Sequence, residues 1–107
     1  LTQLTYGFSR DDAGKFINVY TESNILQIDP FQTLDKDGVG QLIQYAVEQA
    51  KQIKPEIKIG VCGELGGDAK SILQFNQWSI DYVSCSPFRV PGAILATAQS
   101  QAEESER

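Results

Sequence analysis

The fold of this chain is decided by residues 56–68, which read EIKIGVCGELGGD. Residues 56–62 form a short run rich in β-branched side chains and predict a β-strand. The strand runs directly into a turn, residues 63–67, that contains three glycines. Asp68 follows this turn and belongs to a residue type that commonly caps a helix. We therefore expect a strand, a tight turn and a helix in that order.

The segment before this strand predicts an amphipathic helix. Its apolar residues recur at steps of three and four, which is typical of one helix face; they are Val39, Leu42, Ile43, Ala46, Val47, Ala50 and Ile53. We expect Asp37 to cap the start of this helix. Lys51 and Lys54 suit its last turn, and Pro55 prevents its continuation.

The segment after the glycine turn predicts a second helix, with Ile72, Phe75 and Trp78 at steps of three. Residues 80–85 then predict a second strand. Pro91 suits the first turn of a last helix. We expect the inward side chains of that helix to be Ile94, Leu95 and Ala98. Residues 102–107 are charged and lack apolar anchors, which predicts a frayed tail.

The order of elements after Gly38 is helix, strand, helix, strand, helix, which is typical of βα units around a parallel sheet. We therefore assign the chain to the α/β class. Residues 6–37 contain a helical pattern only near Asp12 to Tyr20, and such a long connection usually carries function. Two parallel strands alone leave edges and faces uncovered. Because the chain also lacks any Met, we expect it to be a fragment of a larger protein.

The composition excludes several functions. With 14 acidic and 9 basic residues the net charge is −5, so the chain lacks the basic stripe that nucleic acids require. No stretch is both long and apolar enough for a membrane span. The two cysteines indicate reduced thiols, so we expect a cytoplasmic protein, or one in a plastid or another reducing organelle. The absence of histidine excludes mechanisms in this chain that need imidazole.

Two cysteines lie near the carboxyl ends of the predicted strands, where α/β folds place their chemistry. Most free cysteines are buried structural thiols, and this reading applies to both. Cys62 is the better candidate for chemistry, because Gly63 leaves backbone room and Glu64 adds a carboxylate. A free thiol is protonated at neutral pH and can donate a proton without help from histidine.

Other motifs are weaker. The turn at residues 63–67 could hold an anion, but Ala69 interrupts the spacing of a phosphate-binding loop. The run from Asp35 to Gly38 fails the spacing of a calcium loop. Arg10 could clamp a carboxylate or phosphate, or it could form a surface ion pair with a neighbouring aspartate.

Seven separated runs of the sequence resemble the end of the phosphoenolpyruvate-binding barrel of the pyruvate, phosphate dikinases, a family of phosphoenolpyruvate-utilising enzymes. The runs are LTQ (1–3), GFSRDDAG (7–14), DPF (29–31), GVGQL (38–42), CGE (62–64), GGD (66–68) and DYVSCSPFRVP (81–91). The chain departs from the family at Leu65, where many dikinases carry His, and at Trp78-Ser79, which replace a small Val-Gly step.

The resemblance implies that residues 1–107 are the C-terminal part of an eight-stranded βα barrel (a TIM barrel). They would hold about its last two βα units and, in residues 1–37, the active-site loop region before them. These enzymes interconvert ATP, phosphate and pyruvate with AMP, pyrophosphate and phosphoenolpyruvate. Cys62 matches the family's proton donor to enolpyruvate, and Arg10 matches a substrate-binding arginine. We expect Glu64 to orient neighbouring groups.

The resemblance also implies partners. The full enzyme uses Mg²⁺, whose ligands would lie outside this chain, so we expect no metal site here. We expect phosphoenolpyruvate or pyruvate as the small-molecule substrate, a separate phosphohistidine domain, a homo-oligomer, and no nucleic acid or membrane. The isolated chain should be inactive. The alternative is a stand-alone binding or assembly module that derives from the barrel and lacks catalysis.

Overall fold

The computed structural model describes residues 1–107 and contains six α-helices and one two-stranded sheet. In chain order the elements are α1 Thr2–Tyr6, α2 Arg10–Ala13, α3 Ile17–Glu22, α4 Val39–Ile53, β1 Gly60–Val61, α5 Ala69–Gln77, β2 Tyr82–Val83 and α6 Val90–Ser105. Two 3₁₀ turns, Glu64–Gly67 and Pro87–Arg89, follow the two strands. The α/β prediction is confirmed in this coarse form, whereas the barrel stays a prediction.

The two strands are parallel, with Gly60 opposite Tyr82 and Val61 opposite Val83. Helix α5 connects them, so the βαβ order predicted from the sequence is confirmed. Both strands are shorter than the predicted segments 56–62 and 80–85. Each strand pairs with only one other strand, so only the residues opposite that strand form backbone hydrogen bonds of the sheet. The carboxyl ends of both strands therefore meet at one edge of the sheet.

Helix α4 begins at a cap that the sequence analysis placed wrongly. The carboxylate of Asp35, not that of Asp37, accepts hydrogen bonds from the backbone N–H groups of Gly38 (3.1 Å) and Val39 (3.3 Å). Tyr6 Oη also donates to Asp35 Oδ2 at 2.9 Å. Asp35 lies far enough before the helix for its carboxylate to fold back over the first turn.

Helix α5 begins as predicted. Asp68 accepts a hydrogen bond from the backbone N–H of Ser71 at 2.9 Å and another from its hydroxyl at 2.6 Å. The hydroxyl oxygen of Ser71 in turn accepts from the backbone N–H of Leu34 at 3.0 Å. These bonds tie the segment before α4 to the start of α5, and they satisfy a hydroxyl that is fully buried.

The core has two small clusters. Leu34, Val39 and Phe75 form the first, which packs between α4, α5 and the sheet. Ile72, Ala93 and Ala96 form the second, between α5 and α6. Only 14 of the 107 residues are buried, so much of the apolar surface of this chain lies uncovered.

The prediction for the inward face of α6 is wrong. Ala93, Ala96 and Ser100 are buried, whereas Ile94 and Leu95 are 65% and 60% exposed and Ala98 is exposed as well. Small residues on the inner face let α6 approach α5 closely, and Asn76 Nδ2 donates to Ser100 Oγ at 2.9 Å across this contact. The larger apolar side chains therefore point away from α5.

Helix α6 ends at Ser105 and thus includes residues 102–105, part of the segment for which the sequence predicts a frayed tail. Fraying of this segment stays a prediction. Alanine and glutamate in this stretch favour helix, and Ser105 Oγ donates to the carbonyl of Gln101 at 2.9 Å. Every residue from 101 to 107 is exposed. No helix of the chain combines the length and the apolar character that crossing a membrane requires.

The first 37 residues hold three short helices, although the sequence showed only one helical pattern there. Aromatic contacts centred on Phe8 hold these residues together. Its ring meets Phe16 edge-on at a centroid distance of 4.9 Å and lies 6.0 Å from Phe31. Such pairs add about 0.5–1.5 kcal/mol beyond burial. They fix the position of α2, which carries Arg10.

Candidate functional site

A cavity of about 390 Å³ opens at the carboxyl end of β1. The three side chains that the sequence singled out, those of Cys62, Arg10 and Glu64, all line it, together with Leu1, Thr2, Gln3, Ser9, Asp11, Pro30, Phe31, Gly63 and Leu65. Arg10 comes from the first 37 residues, and Cys62 and Glu64 come from the turn after β1. The fold therefore brings together residues that are about fifty positions apart.

Cys62 lies directly after β1, and its residue is exposed. Gly63 follows with φ at +91°, a backbone conformation that glycine adopts without strain. The chain therefore turns sharply at Gly63 and leaves the thiol at the cavity. Cys85 is half-buried and does not line this cavity. The structure thus distinguishes the two thiols that the sequence placed at equivalent strand ends.

Arg10 opens α2, whose first turn is capped by Ser9. The hydroxyl oxygen of Ser9 accepts a hydrogen bond from the backbone N–H of Asp12 at 3.1 Å. Asp12 also accepts from the Ser9 hydroxyl and pairs with Lys15 at 3.1 Å, and these two contacts lower the pKa of Asp12. Lys15 therefore neutralises Asp12. Arg10 forms its ion pair with Glu64 instead. The alternative prediction, an ion pair between Arg10 and a neighbouring aspartate, is therefore wrong.

Glu64 lies between two arginines. Its Oε1 is 3.2 Å from Arg10 Nη1, and its Oε2 is 3.5 Å from Arg89 Nη1. Arg89 also donates a hydrogen bond from Nη1 to the main-chain carbonyl of Glu64 at 2.8 Å. No role for Arg89 is predicted from the sequence. The sequence feature that could have indicated one is its position just after the second strand, at the same sheet edge as Cys62.

The chemistry of the cavity follows from these groups. Arg10 brings a guanidinium group to this cavity, which the carboxylates of Asp11 and Glu64 also line, and a guanidinium can bind a carboxylate or phosphate through two parallel hydrogen bonds. A thiol on the wall of the same cavity can give or take a proton. The arrangement suits a small anion that undergoes proton transfer at a neighbouring atom.

No three Asp, Glu, Cys or His side chains lie close enough together to hold a metal ion. The carboxylates of Asp11 and Glu64 line the cavity together with Cys62, and Glu64 is paired with Arg10 and Arg89. This donor set does not match the several oxygen ligands that Mg²⁺ takes.

Comparison with known protein families identifies the class of protein to which this fold and cavity belong. Residues 1–102 match the family model described as "PEP-utilising enzyme, PEP-binding domain", in which PEP is phosphoenolpyruvate, so the chain belongs to that family. It is 57% identical over 99 residues to the pyruvate, phosphate dikinase, chloroplastic, of Mesembryanthemum crystallinum and to the pyruvate, phosphate dikinase 1, chloroplastic, of Arabidopsis thaliana. It is 54% identical over 99 residues to the pyruvate, phosphate dikinase 2 of Zea mays.

Each match covers 92% of this chain and 10% or 11% of the relative. The chain therefore spans about a tenth of the length of the curated relatives that it matches. The family resemblance inferred from the sequence motifs is confirmed.

Proposed function

We propose that this chain is a section of a pyruvate, phosphate dikinase and forms part of its phosphoenolpyruvate and pyruvate site. The observation that carries the proposal is the shared cavity of Cys62, Arg10 and Glu64, in a chain that belongs to a PEP-binding family. Parallel strands with active groups at their carboxyl ends are also what a βα barrel requires. In this proposal the chain supplies about the last two βα units of such a barrel.

Cys62 is the proton donor in this proposal. As the enolate of pyruvate becomes pyruvate, the electron pair of its C=C bond takes the thiol proton. The S–H bond breaks and leaves a thiolate, a C–H bond forms at the methylene carbon, which becomes a methyl group, and the enolate oxygen becomes the carbonyl oxygen. In the reverse direction the thiolate removes a methyl proton. The exposed position of Cys62 on the cavity wall supports this role, and this chain itself contains no histidine.

Arg10 binds the anionic end of the substrate, and Glu64 orients Arg10. The ion pair of 3.2 Å between them supports this division of roles. In this proposal Mg²⁺ would be held by residues outside the chain and would supply charge neutralisation for the substrate. The partner that delivers or receives the phosphoryl group is a phosphohistidine domain, and the complete enzyme is a homo-oligomer.

The test is exchange of pyruvate methyl protons with solvent, followed by NMR in deuterium oxide, in the complete polypeptide that carries this chain. We expect Cys62→Ala to lower the exchange rate by about 100-fold or more, the usual contribution of general acid–base catalysis. Cys85→Ala removes the other thiol and should retain exchange. Full exchange in the Cys62 variant would rule out its role.

The isolated 107-residue chain should show no exchange, because it holds one donor and one proposed substrate arginine only. Exchange catalysed by that chain would contradict the proposed division of the site. The reading frame upstream of Leu1 is the quickest check. A phosphohistidine domain in that frame supports the dikinase, whereas a start codon close to Leu1 favours the stand-alone binding or assembly module.

A further inference from the structure

Arg89 extends from the 3₁₀ turn after β2 to the turn after β1. We propose that Arg89 is a positioning residue, which holds the Cys62–Glu64 turn and thereby sets the geometry between the thiol and the substrate-binding Arg10. The inference rests on the proposed function for the roles of Cys62 and Arg10. Its structural part, the attachment of one turn to the other, stands on contacts within this chain.

The first contact is with the backbone of the turn. Arg89 Nη1 donates to the main-chain carbonyl of Glu64 at 2.8 Å. A bond to a main-chain atom restrains the path of the chain whichever rotamer Glu64 adopts. Because Cys62 is only two residues earlier, this bond restrains the thiol relative to the loop after β2.

The second contact is with the glycines of the turn. A Cβ at Gly67 would lie only 2.5 Å from Arg89 Nε and 2.8 Å from its Cδ, and a Cβ at Gly66 would collide with the main-chain carbonyl of Ser84. The turn therefore lies against the segment from β2 to Arg89 without intervening side chains. The two glycines are the sequence feature that lets Arg89 lie across the turn.

The third contact links Arg89 to Arg10. Glu64 pairs with Arg89 through Oε2 and with Arg10 through Oε1. Arg89 therefore orients the Glu64 carboxylate, and this carboxylate in turn orients Arg10. These pairs are between 38% and 59% exposed at the side chain. Exposed pairs contribute only about 0–1 kcal/mol to stability. Loss of Arg89 should therefore change the geometry of the site much more than the stability of the fold.

Arg10, Glu64 and Arg89 line a second cavity, of about 500 Å³, and Arg10 and Glu64 line the first cavity as well. The ion pair between Arg10 and Glu64 is thus part of the wall of both cavities. Without Arg89 the carboxylate of Glu64 is free to rotate into either cavity, and Arg10 can follow it. This freedom is the reason that we expect a catalytic effect.

The experiment uses the complete polypeptide with Arg89→Gln, Arg89→Lys and Gly67→Ala. We expect Arg89→Gln to lower kcat for pyruvate methyl-proton exchange by about 10-fold to 100-fold, since misplacement by about 1 Å has effects of this size. KM for pyruvate should rise by a smaller factor than kcat falls, because the Arg10 guanidinium stays in the cavity although Glu64 no longer fixes its direction. Arg89→Lys should restore most of the rate, since a single nitrogen makes both contacts in the parent. Gly67→Ala should also lower kcat, because it displaces Arg89 while keeping its charge.

Lys58→Gln is the matched control. Lys58 is 78% exposed and pairs with Asp81 at 3.5 Å beyond the amino ends of the strands, so its loss should leave kcat unchanged. Deuterium uptake by residues 63–67 gives a readout that does not depend on activity, and Arg89→Gln should accelerate it. Unchanged uptake would overturn the proposal, as would a kcat loss that vanishes when rates are normalised to folded protein.

The outcomes separate the two proposals. If the parent polypeptide catalyses no exchange, the proposed function fails and with it the catalytic role of Arg89, while uptake still decides whether Arg89 holds the turn. If the parent is active and Arg89→Gln matches it in kcat and uptake, only the Arg89 proposal fails.

Discussion

Gly66 is the residue at which the turn after β1 touches the backbone of the neighbouring strand segment. It is buried, and a Cβ there would collide with the carbonyl oxygen of Ser84. A main-chain atom cannot move aside as a flexible side chain can. The presence of glycine at this position is therefore a packing requirement, whereas Gly63 meets a conformational one, with φ at +91°.

We predict that Gly66→Ala destabilises the chain by about 1–3 kcal/mol, the usual cost of overpacking. Gly92 is the matched control, because it lies exposed in α6 and a Cβ there would meet nothing within 4 Å. Gly92→Ala should stabilise the helix by roughly 0.5–1 kcal/mol. Thermal melts of the complete polypeptide that carries this chain, followed by circular dichroism at one protein concentration, measure both changes. Equal melting temperatures for the two variants would contradict the assigned role of Gly66.

At the scale of elements, the start of α4 depends on a pair of titrating groups. Burial and the neighbouring Asp35 raise the pKa of Tyr6 to about 12. Burial by itself would raise the pKa of Asp35, but hydrogen bonds from Tyr6 and from the backbone N–H groups of Gly38 and Val39 outweigh it, so the pKa of Asp35 lies below its ordinary value. The pair links α1 to α4.

These shifts predict a pH dependence of stability at both ends of the range. The pKa of Tyr6 is raised, so its contribution is complete below the ordinary value of 10.0 and is lost as the pH rises toward about 12. The pKa of Asp35 is lowered, so its contribution is complete above the ordinary value of 3.8 and is lost as the pH falls through the lowered pKa.

Tyr6→Phe tests the alkaline limb. At neutral pH we expect the variant to be less stable by about 1 kcal/mol, the net value of one hydrogen bond. Between pH 10 and about 12 this deficit should shrink, because the parent loses the contribution of Tyr6. Urea midpoints of the complete polypeptide across the pH range measure the deficit. Tyr45→Phe, on an exposed tyrosine of α4, should follow the parent, and a constant deficit for Tyr6→Phe would show that the shift is absent.

Helix α6 shows why helix faces are difficult to assign from sequence. Its apolar residues do not form one clear stripe, and hydrophobicity alone favours Ile94 and Leu95 as the inner residues. The closeness of α5 instead selects Ala93, Ala96 and Ser100. Interhelical distance decides this face, and it is a property of the assembled fold.

The whole molecule is open in shape. Its radius of gyration is 14.8 Å, compared with about 13 Å expected for a compact chain of this length. Ile53, Ile94 and Leu95 are 87%, 65% and 60% exposed, and a third cavity, of about 460 Å³, has mostly apolar walls along α4 and β1. Both strands also have one unpaired edge. The isolated chain thus exposes the surfaces that drive association.

We predict that the isolated 107-residue chain self-associates or remains partly molten. Analytical ultracentrifugation over a range of concentrations should show an average mass above that of the monomer, 11.8 kDa, or else the chain should bind a hydrophobic dye and melt without a sharp transition. A monomer with a sharp melting transition that does not depend on concentration would contradict this.

The sequence by itself determined the order of the elements after Gly38, the parallel pairing of β1 and β2, the cap of α5 at Asp68 and the place of Cys62 at the carboxyl end of the first strand. These features follow from local patterns: apolar spacing, β-branched runs, glycines and prolines act within a few residues. The family motifs also identified Arg10 and Glu64, although not their contact.

Only the tertiary structure decided that Glu64 pairs with Arg10, 54 residues away, and with Arg89, 25 residues away. It also selected Asp35 over Asp37 as the cap of α4. On α6 it buried the face with small residues and left the face with large apolar residues exposed. The physical reason is the same in each case. A contact between distant residues depends on how close the folded elements come, and local propensity carries no information about that distance.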